Sequence, residues 1–261
     1  MTHSSPINVG LFATCLVDLM RPSVGFATAR LLEENGCTIH VPDNQTCCGQ
    51  PAYNAGDESS ARDMAINVIK SFEEFDYIVA PSGSCAGMIR VHYPDLFKDD
   101  AQMGLRAKAV AAKTHELLSF LTDVLGVTQT GASFQGTVTY HDSCSGLREM
   151  GIMEQPRALM STVEGLELSE LDDAQSCCGF GGLFSVKYPD ISQKIVDEKV
   201  VAIEKTGADT LLGGDLGCLM NVAGRLHRRG SPVKVRHLAE VLAGMSGDVV
   251  PIGESEPEKG K

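Results

Sequence analysis

Short apolar runs alternate with longer amphipathic ones along this chain, and the alternation occurs twice. "INVGLFATC" (residues 7–15) and "TVTYHDSC" (137–144) are brief apolar stretches that each end in a cysteine. "DYIVAPSGSC" (76–85) and "DTLLGGDLGC" (209–218) form a second matched pair, an apolar run followed by a Gly-containing loop and a cysteine. All four read as strands that run into a loop. "CTIHVPDNQ" and "LELSELDDAQ" add strand-like runs ahead of the two "CCG" segments. Between them Ala61, Met64, Ala65, Val68, Ile69 and Phe72 recur at helical spacing, as do Ile191, Ile195, Val196, Val200 and Ile203. Asp57 and Asp190 stand where N-caps belong. Strands alternating with helices predict an α/β fold: two duplicated lobes of βαβ units, each with a parallel sheet, related by a pseudo-twofold axis.

The cysteines make the duplication explicit. Of nine, eight fall into two quartets: Cys15, Cys47, Cys48, Cys85 and Cys144, Cys177, Cys178, Cys218. The offsets between copies are 129, 130, 130 and 133 residues, which is an internal repeat. The polar stretch "TQTGASFQG" (128–136) marks the boundary, so the expected lobes are 1–130 and 131–250, followed by a disordered tail from 251 to 261 rich in Gly, Pro and charge. In a parallel α/β sheet loop chemistry sits at the carboxyl ends of the strands. Each quartet can therefore converge on one sheet edge despite its wide spacing.

Composition narrows the function. A net charge of −12 over 261 residues argues against a nucleic-acid surface. Hydrophobic residues make up 43% and Trp is absent, so the core is mostly aliphatic. No apolar run approaches the roughly 18 residues of a membrane span, and "MTHSSPINVGLFATC" lacks the basic and apolar regions of a signal peptide. A cytoplasmic protein is expected, whose thiols stay reduced and serve as metal ligands or redox groups.

What four thiols hold is open at this level between zinc, an iron–sulfur cluster, a redox dithiol and nothing. Structural zinc sites use short C-x₂₋₄-C knuckles, which this chain lacks. Adjacent cysteines reach two metals of a cluster more naturally than two corners of one ion, and the glycine after each pair allows the bend this needs. A vicinal disulfide would leave two cysteines of each quartet unexplained. Backbone N–H groups of "CCGFGG" can donate to cluster sulfur, or its glycines can serve turns alone.

"CCGQPAYNAG", "PSGSCAGM", "YHDSCSG", "CCGFGGLFSVK" and "DLGCLMN" resemble the motifs of the cysteine-rich CCG-domain proteins, specifically their lactate-utilisation branch, over residues 7–243. The resemblance implies an iron–sulfur oxidoreductase subunit that acts in oxidation of L-lactate to pyruvate, together with B- and C-type lactate-utilisation proteins and not alone. It implies that the eight quartet cysteines hold two [4Fe–4S] clusters. The CCG-bearing subunit of heterodisulfide reductase and the iron–sulfur subunit of glycolate oxidase are more distant relatives. A thiol/disulfide reductase and a subunit oxidising glycolate or another 2-hydroxy acid therefore stay as alternatives, beside a zinc-bound or metal-free scaffold. The heterodisulfide reductase relatives carry a fifth cysteine per half; here Met88 and Asn221 stand at those positions, which disfavours their noncubane cluster. The chain shows no G-x-G-x-x-G and no ferredoxin C-x₂-C-x₂-C-x₃-C run.

No catalytic residue is assigned. His141 can ligate or tune a cluster, or simply bond backbone at a strand end; Asp142 reads as a turn cap. His115 and His237 open apolar helical runs at matching places in the two halves and read as packing residues. Cys37 reads as a small buried residue at a strand start. Lys187 reads equally as a partner for anionic charge or a solvated lysine. Arg225, His227, Arg228 and Arg229 read as a solvated helix end or a docking patch.

Overall fold

The computed structural model describes residues 6–172 and 174–255. It contains two four-stranded sheets, each parallel throughout. The first joins β1 (Ile7–Leu11), β2 (Cys37–His40), β3 (Tyr77–Ala80) and β4 (Thr114–Glu116) in the order β2-β1-β3-β4. The second joins β5 (Ser133–His141), β6 (Glu164–Leu168), β7 (Thr210–Gly213) and β8 (Lys234–His237) in the equivalent order β6-β5-β7-β8. The chain therefore forms two similar α/β lobes, as the repeat predicts. The run "TQTGASFQG" is less of a linker than its composition suggests, since β5 already begins at Ser133.

Period-two alternation along the strands divides the core. Val9 and Val79 of the first sheet and Val138 and Leu212 of the second face one shared central core. Ile78 and Ala80 point the other way, onto helices Glu58–Phe72 and Ala101–Ala112. Leu211 does the same in the second lobe, onto Pro189–Lys205 and Leu216–Arg228. The central core is filled from both lobes by Leu31, Leu32, Leu117, Leu121, Leu159 and Leu238, so the lobes are joined by apolar burial.

Polar contacts fix the register of that joint. Arg21 makes a bidentate ion pair with Glu240, with Nε to Oε1 at 2.8 Å and Nη2 to Oε2 at 2.9 Å. Ser23 donates to the same carboxylate at 2.6 Å. The Glu240 side chain is fully buried, which is tolerable because both its oxygens are satisfied. Helix Gly83–Gly87 of the first lobe packs on helix Cys144–Arg148 of the second at two glycines. A Cβ placed on Gly83 would lie 2.8 Å from the Gly146 Cα, so glycine is required by backbone proximity.

Several expectations are corrected. Asp57 does cap its helix, accepting from the Ser60 N–H, but the partner helix begins at Pro189 after Tyr188, and Asp190 lies inside it. Asp142 caps no turn: it is buried and bound by Arg157 at 2.9 and 3.0 Å, while Ser143 caps the helix that follows. The tail is ordered through its first residues. Ile252 is buried and its N–H donates to the Val235 carbonyl at 2.8 Å; residues 256–261 lie outside the described residues. Cys37 starts β2 and is buried, as its sequence context suggests.

The two histidines do not match. β3–β4 pairing sets Ala80 opposite Glu116, and β7–β8 pairing sets Gly213 opposite His237. Glu116 thus holds the place of His237, one residue past His115. Both are buried N-caps: Glu116 accepts from the Leu118 and Ser119 N–H groups, and His237 from Ala239. A one-residue slip on a strand reverses the side chain, and His115 instead packs between Tyr77 and Phe120.

Burial pushes the Glu116 carboxyl up to about 8. Between the ordinary carboxylate value and about 8 the folded chain holds a proton that the unfolded chain has lost. Stability therefore falls as pH rises through that window. Urea unfolding should show this slope in the native sequence and a flattened one in Glu116→Gln, whose amide oxygen still accepts the two N–H bonds. The glycine contact is tested separately. Gly83→Ala should destabilise by about 1–3 kcal/mol through overpacking against Gly146, read as a lower urea midpoint.

Candidate metal centre

The strand-end cysteines are delivered by one device used four times. Each lies in the first turn of a helix that starts just past a strand, and each helix is capped by a side-chain oxygen. Thr14 accepts from Val17 N–H ahead of Cys15, and Ser143 from Gly146 N–H ahead of Cys144. Ser82 accepts from the Cys85 N–H itself, and Asp215 from Gly217 N–H beside Cys218. These caps are legible as a polar residue one or three places before the cysteine.

The vicinal pairs arrive by a different route. Gly49 (φ +85°) and Gly179 (φ +81°) both adopt the left-handed region, where a side chain would be strained. There is no room for one either: a Cβ on Gly179 would lie 2.7 Å from the Ser192 carbonyl oxygen. The turn points the two sulfurs of each pair to different neighbours. Cys47 Sγ lies 3.9 Å from Cys15 Sγ, and Cys48 Sγ 3.5 Å from Cys85 Sγ. In the second lobe Cys177 takes the thiol of Cys144, and Cys178 pairs with Cys218. The structure thus gathers each quartet at the carboxyl edge of its sheet, and none of the eight is in a disulfide.

A long-range contact that sequence reading missed anchors each pair. Tyr93 Oη donates to the Cys48 carbonyl at 2.8 Å, and Asn221 Nδ2 donates to the Cys178 carbonyl at 2.8 Å. Asn221, which stands where distant relatives carry a cysteine, therefore has a structural task. Met88 at the other such position is fully buried in the apolar core of the first lobe.

The thiols are electrostatically unequal. Hydrogen bonds from Cys15 and Cys48 hold Cys47 ionised, at about 3. Those from Cys144 and Cys178 hold Cys177 at about 2. The donors move the opposite way: Cys15 and Cys144 are raised by the same bonds and by burial, and Cys48 and Cys178 likewise. Cys47 and Cys177 are thus the members of the two quartets that hydrogen bonding favours as thiolates. The Gly179 N–H donates to Cys177 Sγ at 3.3 Å, so a backbone amide of the Gly-rich loop does serve a sulfur. This donor set fits a thiolate-held metal group.

The two centres adjoin. A cavity of about 110 Å³ over the first quartet is also lined by Phe180, Asp215 and Gly217 from the second lobe. Asp215 is buried and links both: one oxygen caps the helix of Cys218, and the other accepts from Ser82 Oγ at 2.9 Å and Ser84 N–H at 3.0 Å beside Cys85. His141, the last residue of β5, is buried within 4.8 Å of the sulfurs of Cys178 and Cys218. Lys187 is exposed at the end of helix Phe184–Lys187. Arg225 is bidentate on Asp197 at 2.6 and 2.7 Å and Arg229 reaches Glu204, so much of that basic patch is neutralised within the lobe.

Comparisons with known proteins agree with this geometry. The family model of the CCG cysteine-rich domain matches residues 9–90 and 138–223, one copy per lobe. Lactate utilization protein A of Anoxybacillus flavithermus is 52% identical over 236 residues, covering 90% of this chain and 99% of its own length. The protein of the same name from Bacillus cytotoxicus is 52% identical, with 90% and 98% covered. Among solved structures, a hypothetical protein from Helicobacter pylori shares the fold with a TM-score of 0.65 at 10% identity; the match covers 97% of this chain and 50% of that protein. The chain belongs to the cysteine-rich CCG-domain family, in the group of lactate utilization protein A.

Proposed function

We propose that this chain is the iron–sulfur electron-carrying subunit of a system that oxidises L-lactate to pyruvate. The observation that carries the reading is the pair of free four-thiol sets, one per sheet edge, adjoining across the Asp215 contact. Lobe 1–130 would hold one [4Fe–4S] cluster through Cys15, Cys47, Cys48 and Cys85. Lobe 131–250 would hold the other through Cys144, Cys177, Cys178 and Cys218. Bound there, such clusters accept and release single electrons.

The residues of the chain set how that happens. Cys47 and Cys177 are ready thiolates, while Cys15, Cys48, Cys144 and Cys178 must each release a proton as metal enters. Loading therefore improves as pH rises, since fewer protons have to be displaced. Lactate oxidation releases two electrons and two protons, and hydride removal usually needs an organic cofactor. No nucleotide or flavin signature is present in the sequence, so that step belongs to partners, the B- and C-type proteins of lactate utilisation. The free thiols suit the cytoplasm; among the described residues no helix is long and apolar enough to cross a membrane. Met88 and Asn221 weigh against the heterodisulfide reading, because neither position offers a fifth thiol.

Iron and acid-labile sulfide analysis of anaerobically purified protein tests this directly. About eight iron per chain are expected for two four-iron clusters, and stoichiometric zinc without sulfide would overturn the reading. Cys48→Ser and Cys178→Ser should each lose the iron and visible absorbance of one cluster. With the partner proteins present, lactate should reduce the clusters without any added thiol. Reduction by glycolate in preference to lactate would reassign the substrate.

A further inference from the structure

The two cysteine sets are built alike, but their surroundings differ at one position. Aligning Cys15 with Cys144 sets Phe12 against His141. In the first lobe Phe12 is fully buried and packs on Phe72 with ring centroids 5.6 Å apart. In the second lobe the same place behind the cysteines holds an imidazole. His141 is 1% exposed, and among the described residues neither Nδ1 nor Nε2 has a hydrogen-bond partner.

A buried imidazole without partners is unusual, because burying a polar group is unfavourable unless something satisfies it. A neutral imidazole presents one N–H donor and one acceptor nitrogen. Sulfurs able to accept from it lie close by: Cys178 Sγ and Cys218 Sγ form a mutual group with a His141 ring nitrogen within 4.8 Å. An apolar residue would fill this space, as Phe12 does in the first lobe. The histidine is therefore not explained by packing.

We infer that His141 donates its ring N–H to sulfur at the second centre and thereby separates the reduction potentials of the two centres. The inference rests on the iron–sulfur reading above. A hydrogen bond to sulfur stabilises the more negative, reduced form and raises the potential. The second centre is then the better electron acceptor, and the first, backed by Phe12, the poorer one. Electrons entering the chain come to rest in the second lobe, where Cys177 is exposed.

The test is redox titration of the full chain, loaded anaerobically with iron and sulfide, followed by its visible and EPR signals. The native protein should show two separate waves. His141→Phe copies the first lobe, so it should keep its iron while one wave moves down at least tenfold in reduction equilibrium, about 59 mV for one electron. His141→Gln retains an N–H donor and should recover part of the shift. Full iron in His141→Phe with both waves unmoved overturns the inference. Loss of one cluster's iron in that variant also overturns it, by making His141 a ligand. A readout on the unsubstituted protein removes dependence on the variant's folding. With ¹⁵N-histidine labelling, one reduced cluster should show a weak nitrogen coupling in pulsed EPR, and its absence refutes the N–H···S bond. Failure of the native chain to bind iron defeats the parent reading and this inference together, whereas the outcomes above defeat only this one.

Discussion

Four sulfur atoms gathered at one sheet edge repel as anions, and the rest of the molecule is arranged around that constraint. Hydrogen bonding favours the thiolate at Cys47 and Cys177 and disfavours it at Cys15, Cys48, Cys144 and Cys178. The fold could not maintain such crowding with local structure alone. The pairs are bent by left-handed glycines, their carbonyls are tied down by Tyr93 and Asn221, and the opposite cysteines are fixed in capped helical turns. This is preorganisation: the donors are assembled by the backbone before any metal contributes, which lowers the entropy lost on binding.

The second organising feature is the shared interior. Each sheet has its own outer helices but shares its inner face with the other lobe. The centres at the two carboxyl edges are consequently held in a fixed relation by the same packing that stabilises the protein. Asp215 tightens that relation, since its carboxylate accepts from the first turn of a helix in each lobe.

Much of this was legible in the chain, and the reasons are physical. Strand-ending cysteines stand out because a parallel sheet places its chemistry at one edge, so Cys15 and Cys85 could be assigned to a common site across 70 residues. The duplication let each half check the other. What escaped were contacts with no local signature. Tyr93 lies 45 residues from the carbonyl it binds, and nothing in "VHYPD" announces that task. Asp142 looks like a turn residue until Arg157 is seen to claim it. His115 and His237 look equivalent because both precede apolar runs. Strand pairing shows instead that Glu116 is the counterpart, an error of one residue that only register resolves.

The glycine contact between Gly83 and Gly146 has a consequence for how such a molecule arises. In a symmetric pair of identical lobes, both halves must change together. Joined in one polypeptide, the halves are released from that obligation. Ser82 can stand opposite Asp215, Glu116 opposite His237, and Phe12 opposite His141. Fusion preserves the symmetric frame while letting its two ends acquire different chemistry, which gives the molecule a direction.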